Sequence, residues 1–203
     1  MGSDKKIAIY GGSFDPIHIA HVTLADYAVK ELGLDELYFM PAYVSPFKQD
    51  RKVSSGEDRC GMISQVLSYN PAFRLSNYEL MFEEPSYTYN TLTHWSSVCD
   101  QKIYFVLGMD SVVQIDTWYK GEEILRNFPL ITDKSRPGTD TDAALNKIED
   151  LRRKYNAEIH VIGMPPMDVS GTEIRRRVNE GISISDMVLP GVEEYIIEHI
   201  LYK

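Results

Sequence analysis

Short apolar runs recur along this chain at intervals that helices fill, and no other feature restricts the fold so strongly. IAIY begins at Ile7, LYFM at Leu37, IYFVLG at Ile103, PLIT at Pro129 and IHVIG at Ile159. Runs without polar alternation suit strands covered on both faces, and such strands belong to parallel sheets. Between them lie amphipathic stretches, from Ile19 to Leu32, Glu57 to Tyr69, Tyr89 to Val98 and Ala143 to Tyr155. Parallel strands need crossovers of that kind, so the β-α-β-α rhythm predicts an α/β fold with a doubly wound, mostly parallel sheet. FRLSNYEL from Phe73 adds a further candidate strand that Asn77 interrupts, and Pro71 before it fits a helix stop. Val192 to Tyr202 carries Tyr195, Ile196, Ile197, Ile200 and Leu201 at helical spacing, which predicts a last helix packed on the sheet.

A length of 203 residues fits one domain, 1–203, with a C-terminal helical part from about 171 to 203. Lys and Arg number 21 against 30 Asp and Glu, a formal charge of −9, which disfavours nucleic acid or an anionic membrane as a partner held by bulk charge. Cys60 and Cys99 stand in no C-x-x-C spacing, so reduced core thiols are expected rather than a disulfide framework or a zinc knuckle. The apolar run after the polar MGSDKK is far too short for a signal segment or a membrane span, and a cytoplasmic protein is expected. Ser45 to Gly56 and Ser135 to Asp142 are the most loop-like pieces and are candidate flaps. The oligomeric state stays open, a homo-oligomer included.

The first predicted strand runs into Gly11-Gly12-Ser13-Phe14-Asp15-Pro16-Ile17-His18-Ile19-Ala20-His21. A glycine turn therefore leaves the carboxyl end of a strand and feeds a helix, the place where doubly wound folds bind ligands. Gly11 and Gly12 let a backbone approach a phosphate, and the amides opening the helix face it. His18 and His21 are three apart, on one face once the helix has begun, and both can donate to phosphate oxygens. Two rival readings stand beside this one, a His pair that only caps the helix and a metal site. The chain offers no third ligand at zinc spacing, so no protein-held metal is expected.

A second cluster follows the last predicted strand, Asp168-Val169-Ser170-Gly171-Thr172-Glu173-Ile174-Arg175-Arg176-Arg177. Ser170 and Glu173 form a capping-box pattern that starts a helix. Ser170, Thr172 and Arg175 also offer two hydroxyls and a guanidinium beside first-turn amides, a grip for a polyphosphate. Successive arginines point in different directions around a helix, so at most one or two of Arg175, Arg176 and Arg177 can face a ligand and the others are expected to be solvated or paired.

These clusters carry a resemblance. GGSFDPIHIAH resembles the G-T-F-D-P-x-H-x-G-H signature of the nucleotidyltransferase superfamily, and VSGTEIRRR is similar to its second signature, I-S-S-T-x-I-R. Between them MPAYVSPFK, DRCGMISQVLSYNPAFRLSNYELMFEEPSYTYNTL and FVLGMDSVVQIDTW are similar to the bacterial nicotinate-mononucleotide adenylyltransferase family. The likeness runs from about Ile7 to beyond Arg177.

The resemblance implies a Rossmann-like nucleotidyltransferase fold and transfer of AMP from ATP to nicotinate mononucleotide, with Mg²⁺ brought by ATP. It implies that His18, His21 and Arg175 act on the phosphates, with Gly11, Gly12, Ser13, Phe14, Ser170, Gly171 and Thr172 around them. Arg136, in an R-P-G turn, would reach a nucleotide phosphate or be a solvated loop residue. Lys48, Ser86, Tyr87, Thr88, Asp110 and Trp118 would shape the mononucleotide side. Other readings of the same residues are a core Trp118, a helix cap at Ser86 or Thr88, and a cap at Asp110. Competing functions are a nicotinamide-mononucleotide or phosphopantetheine adenylyltransferase, or a non-catalytic adenine-nucleotide sensor. The chain departs from the family pattern at Ser13, Ala20, Phe47, Asn90 and Gly171.

Overall fold

The computed structural model describes residues 5–44, 53–82, 84–134 and 140–203. Its first half runs β1 (Ile7–Gly12), α1 (Ile19–Leu32), β2 (Glu36–Pro41), α2 (Gly56–Ser64), β3 (Phe73–Leu75) and α3 (Thr88–Val98). The second half runs β4 (Ile103–Val106), α4 (Met109–Val112), α5 (Gly121–Asn127), β5 (Leu130–Asp133), α6 (Thr141–Tyr155), β6 (Ile159–Ile162), α7 (Gly171–Glu180) and α8 (Pro190–Glu198). The strands form one six-stranded sheet in the order β3-β2-β1-β4-β5-β6, and every neighbouring pair is parallel.

Alternation along each strand divides the core into two layers. Ala8, Tyr10, Leu37, Phe39, Tyr104 and Val106 face α1, α2, α7 and α8. Ile7, Ile9, Met40, Ile103 and Phe105 face the layer of α3 to α6, which supplies Leu92, Met109, Ile124 and Ile148. The doubly wound reading of the apolar runs therefore holds. The chain builds outward from β1 to β3, then returns to the other side of β1 for β4, which makes the β1/β4 boundary the switch point of the sheet.

Helix ends follow local chemistry. α1 stops at Gly33, whose φ of 60° is left-handed, with its amide bonded to Val29 O. The expected helix from Glu57 to Tyr69 ends at Ser64, because i→i+3 bonds from Val66 to Ile63 and from Tyr69 to Val66 tighten the chain into a 3₁₀ turn. α6 begins at Thr141, inside the stretch expected to be loop, because the Asp140 side chain accepts from Ala143 N at 3.0 Å. The expected last helix to Tyr202 stops at Glu198, and Ile200 and Tyr202 then adopt φ of 53° and 64°. Among the described residues no helix is long and apolar enough to cross a membrane. Cys60 and Cys99 are unpaired and half-buried.

Gly121 opens α5 in a turn whose amide bonds to Trp118 O at 2.9 Å, while Trp118 N bonds to Ile115 O at 3.1 Å. A Cβ at this position would lie 1.9 Å from the main-chain oxygen of Ile115. Helix propensity favours alanine by ~1 kcal/mol, but a backbone atom cannot swing aside as a side-chain end can. Gly121→Ala is therefore expected to lose about 1–3 kcal/mol net, read by urea unfolding. Unchanged or increased stability would show that the turn relaxes freely.

Candidate active site

One cavity of about 580 Å³ opens at the carboxyl ends of the central strands. Gly11 and Gly12 end β1 at its floor, where a Cβ would come within 3.1 Å of the Phe105 ring at Gly11 and 3.0 Å of the Phe14 ring at Gly12. The glycines thus let two aromatic rings close on the loop. Phe14 has a φ of 46° and is fully buried, packed edge-on against Tyr10, His21 and Phe39.

His18 sits at the N-cap of α1, not inside the helix, and His21 lies in its first turn. Their rings stack with centroids 3.7 Å apart, and His18 N donates to His21 Nδ1 at 3.3 Å. The pair sits at the start of the helix, and both residues also line the cavity. An accepting Nδ1 leaves Nε2–H as the donor of a neutral His21 ring.

The second cluster arrives on α7 from the opposite side. Ser170 caps this helix, its Oγ accepting from Glu173 N at 3.2 Å. Arg175 donates through Nη1 to Asp15 O and through Nη2 to Thr172 Oγ1 at 3.0 Å. Glu173 does not complete a capping box. It pairs with Arg176 at 2.7 Å and Arg177 at 3.0 Å, which hold its carboxyl down at about 2. Arg176 also pairs with Glu180, and Arg177 with Asp186, so both neighbours of Arg175 are spent on carboxylates. At Gly171 a Cβ would stand 3.0 Å from Asp15 O and 3.1 Å from Arg175 Nη1. The missing side chain there lets α7 sit close on the β1–α1 loop.

The third wall comes from α3 and α4. Tyr87 is the N-cap of α3 and makes no side-chain cap bond, so neither Ser86 nor Thr88 caps it. Ser86 instead braces the β2 loop, its Oγ accepting from Tyr43 N at 3.0 Å and its amide donating to Val44 O at 3.0 Å. Asp110 lies in the first turn of α4, whose cap position is Gly108. Buried Asp133, at the end of β5, holds that helix by accepting from Met109 N at 2.7 Å. Trp118 packs partly on the core and also lines the cavity.

Every site residue singled out in the sequence lines this one cavity except Lys48 and Arg136, which lie outside the described residues, as does Phe47. Sequence reading missed Tyr119, which lines the cavity with its ring 5.0 Å from Tyr87, and Glu79. It also missed Arg59, only 2% exposed, which donates to Ser54 O at 3.1 Å, Ser13 O at 3.0 Å and Ala42 O at 2.6 Å. A lone arginine on a helix carries no motif, so nothing local marks it. Among the described residues no cluster of three or more His, Cys, Asp or Glu side chains could hold a metal.

A glycine-led loop at the switch point, faced by a second helix N-terminus and an arginine, is the arrangement of nucleotide-handling α/β proteins. The family model described as cytidylyltransferase-like matches residues 9–177. A "Probable nicotinate-nucleotide adenylyltransferase" of Caldicellulosiruptor saccharolyticus is 41% identical over 199 residues, 98% of this chain and 99% of the relative. A relative of the same name from Carboxydothermus hydrogenoformans is 35% identical over 98% of both chains. The chain belongs to the cytidylyltransferase-like family and, within it, to the nicotinate-nucleotide adenylyltransferases. The fold matches that of a Plasmodium falciparum nicotinic acid mononucleotide adenylyltransferase complexed with NaAD. The TM-score is 0.79 over 98% of this chain and 97% of that one, at 23% identity.

Glu79 provides a pH test of the cavity wall. Thr91 Oγ1 donates to its Oε1 at 2.6 Å, and burial pushes its carboxyl above the ordinary 4.5 despite this bond and another from Ser86. A raised acid binds its proton more tightly in the folded state, so stability falls as pH rises from 4.5 through the folded value. Subtracting the unfolding free energy of Glu79→Gln from that of the wild type is expected to give a difference that declines across this window and is flat above it. A difference independent of pH would show that Glu79 ionises as freely as in water.

Proposed function

We propose that this chain transfers AMP from ATP to nicotinate mononucleotide, giving deamido-NAD and pyrophosphate in NAD biosynthesis. The observation that carries this reading is one cavity bounded by both phosphate clusters and by an aromatic, helix-N-terminal wall suited to a charged pyridine ring. Family membership supports the same reaction.

The 5′-phosphate of the mononucleotide is already ionised, so its oxygen attacks the α-phosphorus without a general base. A new P–O bond forms on one side while the bond to the bridging oxygen breaks on the other, and pyrophosphate leaves with that electron pair. Catalysis is then alignment and neutralisation of charge. His18 and His21 face the α-phosphate, while Arg175, Ser170 and Thr172 face the departing β and γ groups with Gly11 to Phe14 beneath. Mg²⁺ enters with ATP as part of the substrate and shares that charge. No covalent enzyme intermediate is needed.

On the other side the indole of Trp118 stacks on the pyridinium ring. The first-turn amides of α3, which the Tyr87 side chain does not cap, suit a carboxylate, which only accepts. A carboxamide must also donate, and amide dipoles offer it no acceptor. A cytoplasmic location fits this reading, with both cysteines unpaired.

Pyrophosphate release is expected only with ATP, Mg²⁺ and mononucleotide together. The acid form should be preferred over the amide form by at least roughly tenfold in kcat/KM, about 1.4 kcal/mol. Equal efficiency would point to a dual-specificity enzyme, and release with phosphopantetheine alone would overturn the acceptor assignment. Arg175→Ala should lower kcat/KM for ATP by on the order of tenfold to a thousandfold, whereas Arg177→Ala, which removes the surface ion pairs to Glu173 and Asp186, should change it by less than about threefold. Equal losses would mean that the arginine run acts as a diffuse basic patch.

A further inference from the structure

The chain end does not fray. After α8, Ile200 and Tyr202 both hold left-handed backbone, with φ of 53° and 64°. That conformation is costly for a β-branched isoleucine and a tyrosine, and terminal residues normally escape such strain. Here it is fixed by Ile200 N bonding to Ile197 O at 3.2 Å, Leu201 N to Ile196 O at 3.0 Å, and Leu201 and Tyr202 packing against the core. The result aims the Tyr202 hydroxyl at a residue 187 positions earlier, where it donates to Asp15 Oδ1 at 2.8 Å.

Asp15 is 4% exposed and belongs to the loop that follows Gly11 and Gly12. Its Oδ1 also accepts from Ser54 N at 3.3 Å, its main-chain oxygen accepts from Arg175 Nη1, and its Oδ2 lies 3.9 Å from the same nitrogen. Asp15 is thus the joint between the chain end and the guanidinium that faces the cavity. Tyr202 itself is not part of the cavity lining. Burial and the Asp15 charge both push its phenol upward, so it remains a donor at every working pH.

We propose that Tyr202 is a positioning residue for phosphate transfer, its hydroxyl fixing Asp15 and Asp15 in turn fixing the Arg175 guanidinium at the phosphate end of the cavity. The kinetic part of the test rests on the reaction proposed above, whereas ATP binding does not. A hydrogen bond to a carboxylate restricts the side chain that accepts it, and a guanidinium held ready loses less freedom when the phosphate arrives. The contribution acts through Arg175, so it must vanish when Arg175 is absent.

Tyr202→Phe keeps the ring and removes only the hydroxyl. In the full-length protein it is expected to weaken MgATP binding, measured by calorimetry, about fivefold to tenfold. KM for nicotinate mononucleotide should stay within about twofold of wild type. In an Arg175→Ala background the same change should have no further effect on MgATP affinity. A Tyr202→Phe protein that binds MgATP as the wild type does would overturn the proposal. So would a loss of equal factor in both backgrounds, because that pattern belongs to general loosening of the chain end. If the wild-type protein binds MgATP but releases no pyrophosphate with the mononucleotide, the reaction assignment fails and the binding cycle still decides the role of Tyr202.

Discussion

β1 is hydrogen-bonded on both sides by strands running in its own direction, and the rest of the molecule depends on that placement. Ile7 is level with Glu36 on β2 and with Ile103 on β4, so the three strands begin together, β2 ending beside Gly12 and β4 beside Tyr10. Because β2 follows β1 and β4 arrives only after β3, the crossovers leave β1 in different directions and cover opposite faces of the sheet. A crevice opens where they part. The loop that leaves β1 has nowhere to go but across that crevice, and it carries Gly11 to Asp15.

A loop in such a crevice must turn its amides toward an anion and its carbonyls elsewhere, and Arg59 supplies the elsewhere. This buried guanidinium takes Ser13 O, Ala42 O and Ser54 O, one from each of three segments at the rim. In a trans peptide the C=O and N–H point in opposite directions, so anchoring the Ser13 carbonyl aims the Phe14 amide away from Arg59. Burying an unpaired charge is costly. Three bonds to carbonyls and the nearby Asp15 carboxylate offset that cost, and Asp15 opposes the downward pull of burial on Arg59. The same carboxylate region receives Arg175 and Tyr202, so one acidic residue organises two cations and a phenol at one end of the cavity.

The acceptor end follows a different rule. Neither Lys nor Arg lies on α3, and its N-cap residue Tyr87 makes no side-chain cap bond. Glu79, Ser86 and Thr91 form a small hydrogen-bonded brace beside the helix start. Selectivity for an acceptor-only group can then come from backbone geometry alone, while Trp118 and Tyr119 supply the apolar surface above.

Local signals in the sequence determined the strands, most of the helices and the two loop-to-helix clusters at Gly11 and Ser170, because each depends on residues within a few positions of one another. The apolar runs, the Ser170 cap and the glycine turn are all of this kind. Asn77 likewise marked the end of β3 at Leu75. Helix limits were less legible where a long-range contact or a tightened turn decided them, as at Ser64 and Glu198. Only the tertiary structure decided that Arg59 serves three carbonyls, that Asp133 rather than Asp110 holds the start of α4, and that Tyr202 reaches Asp15 across 187 positions. Such partners are chosen by the packing of distant elements, and no periodicity in the chain records which buried donor will meet which buried acceptor.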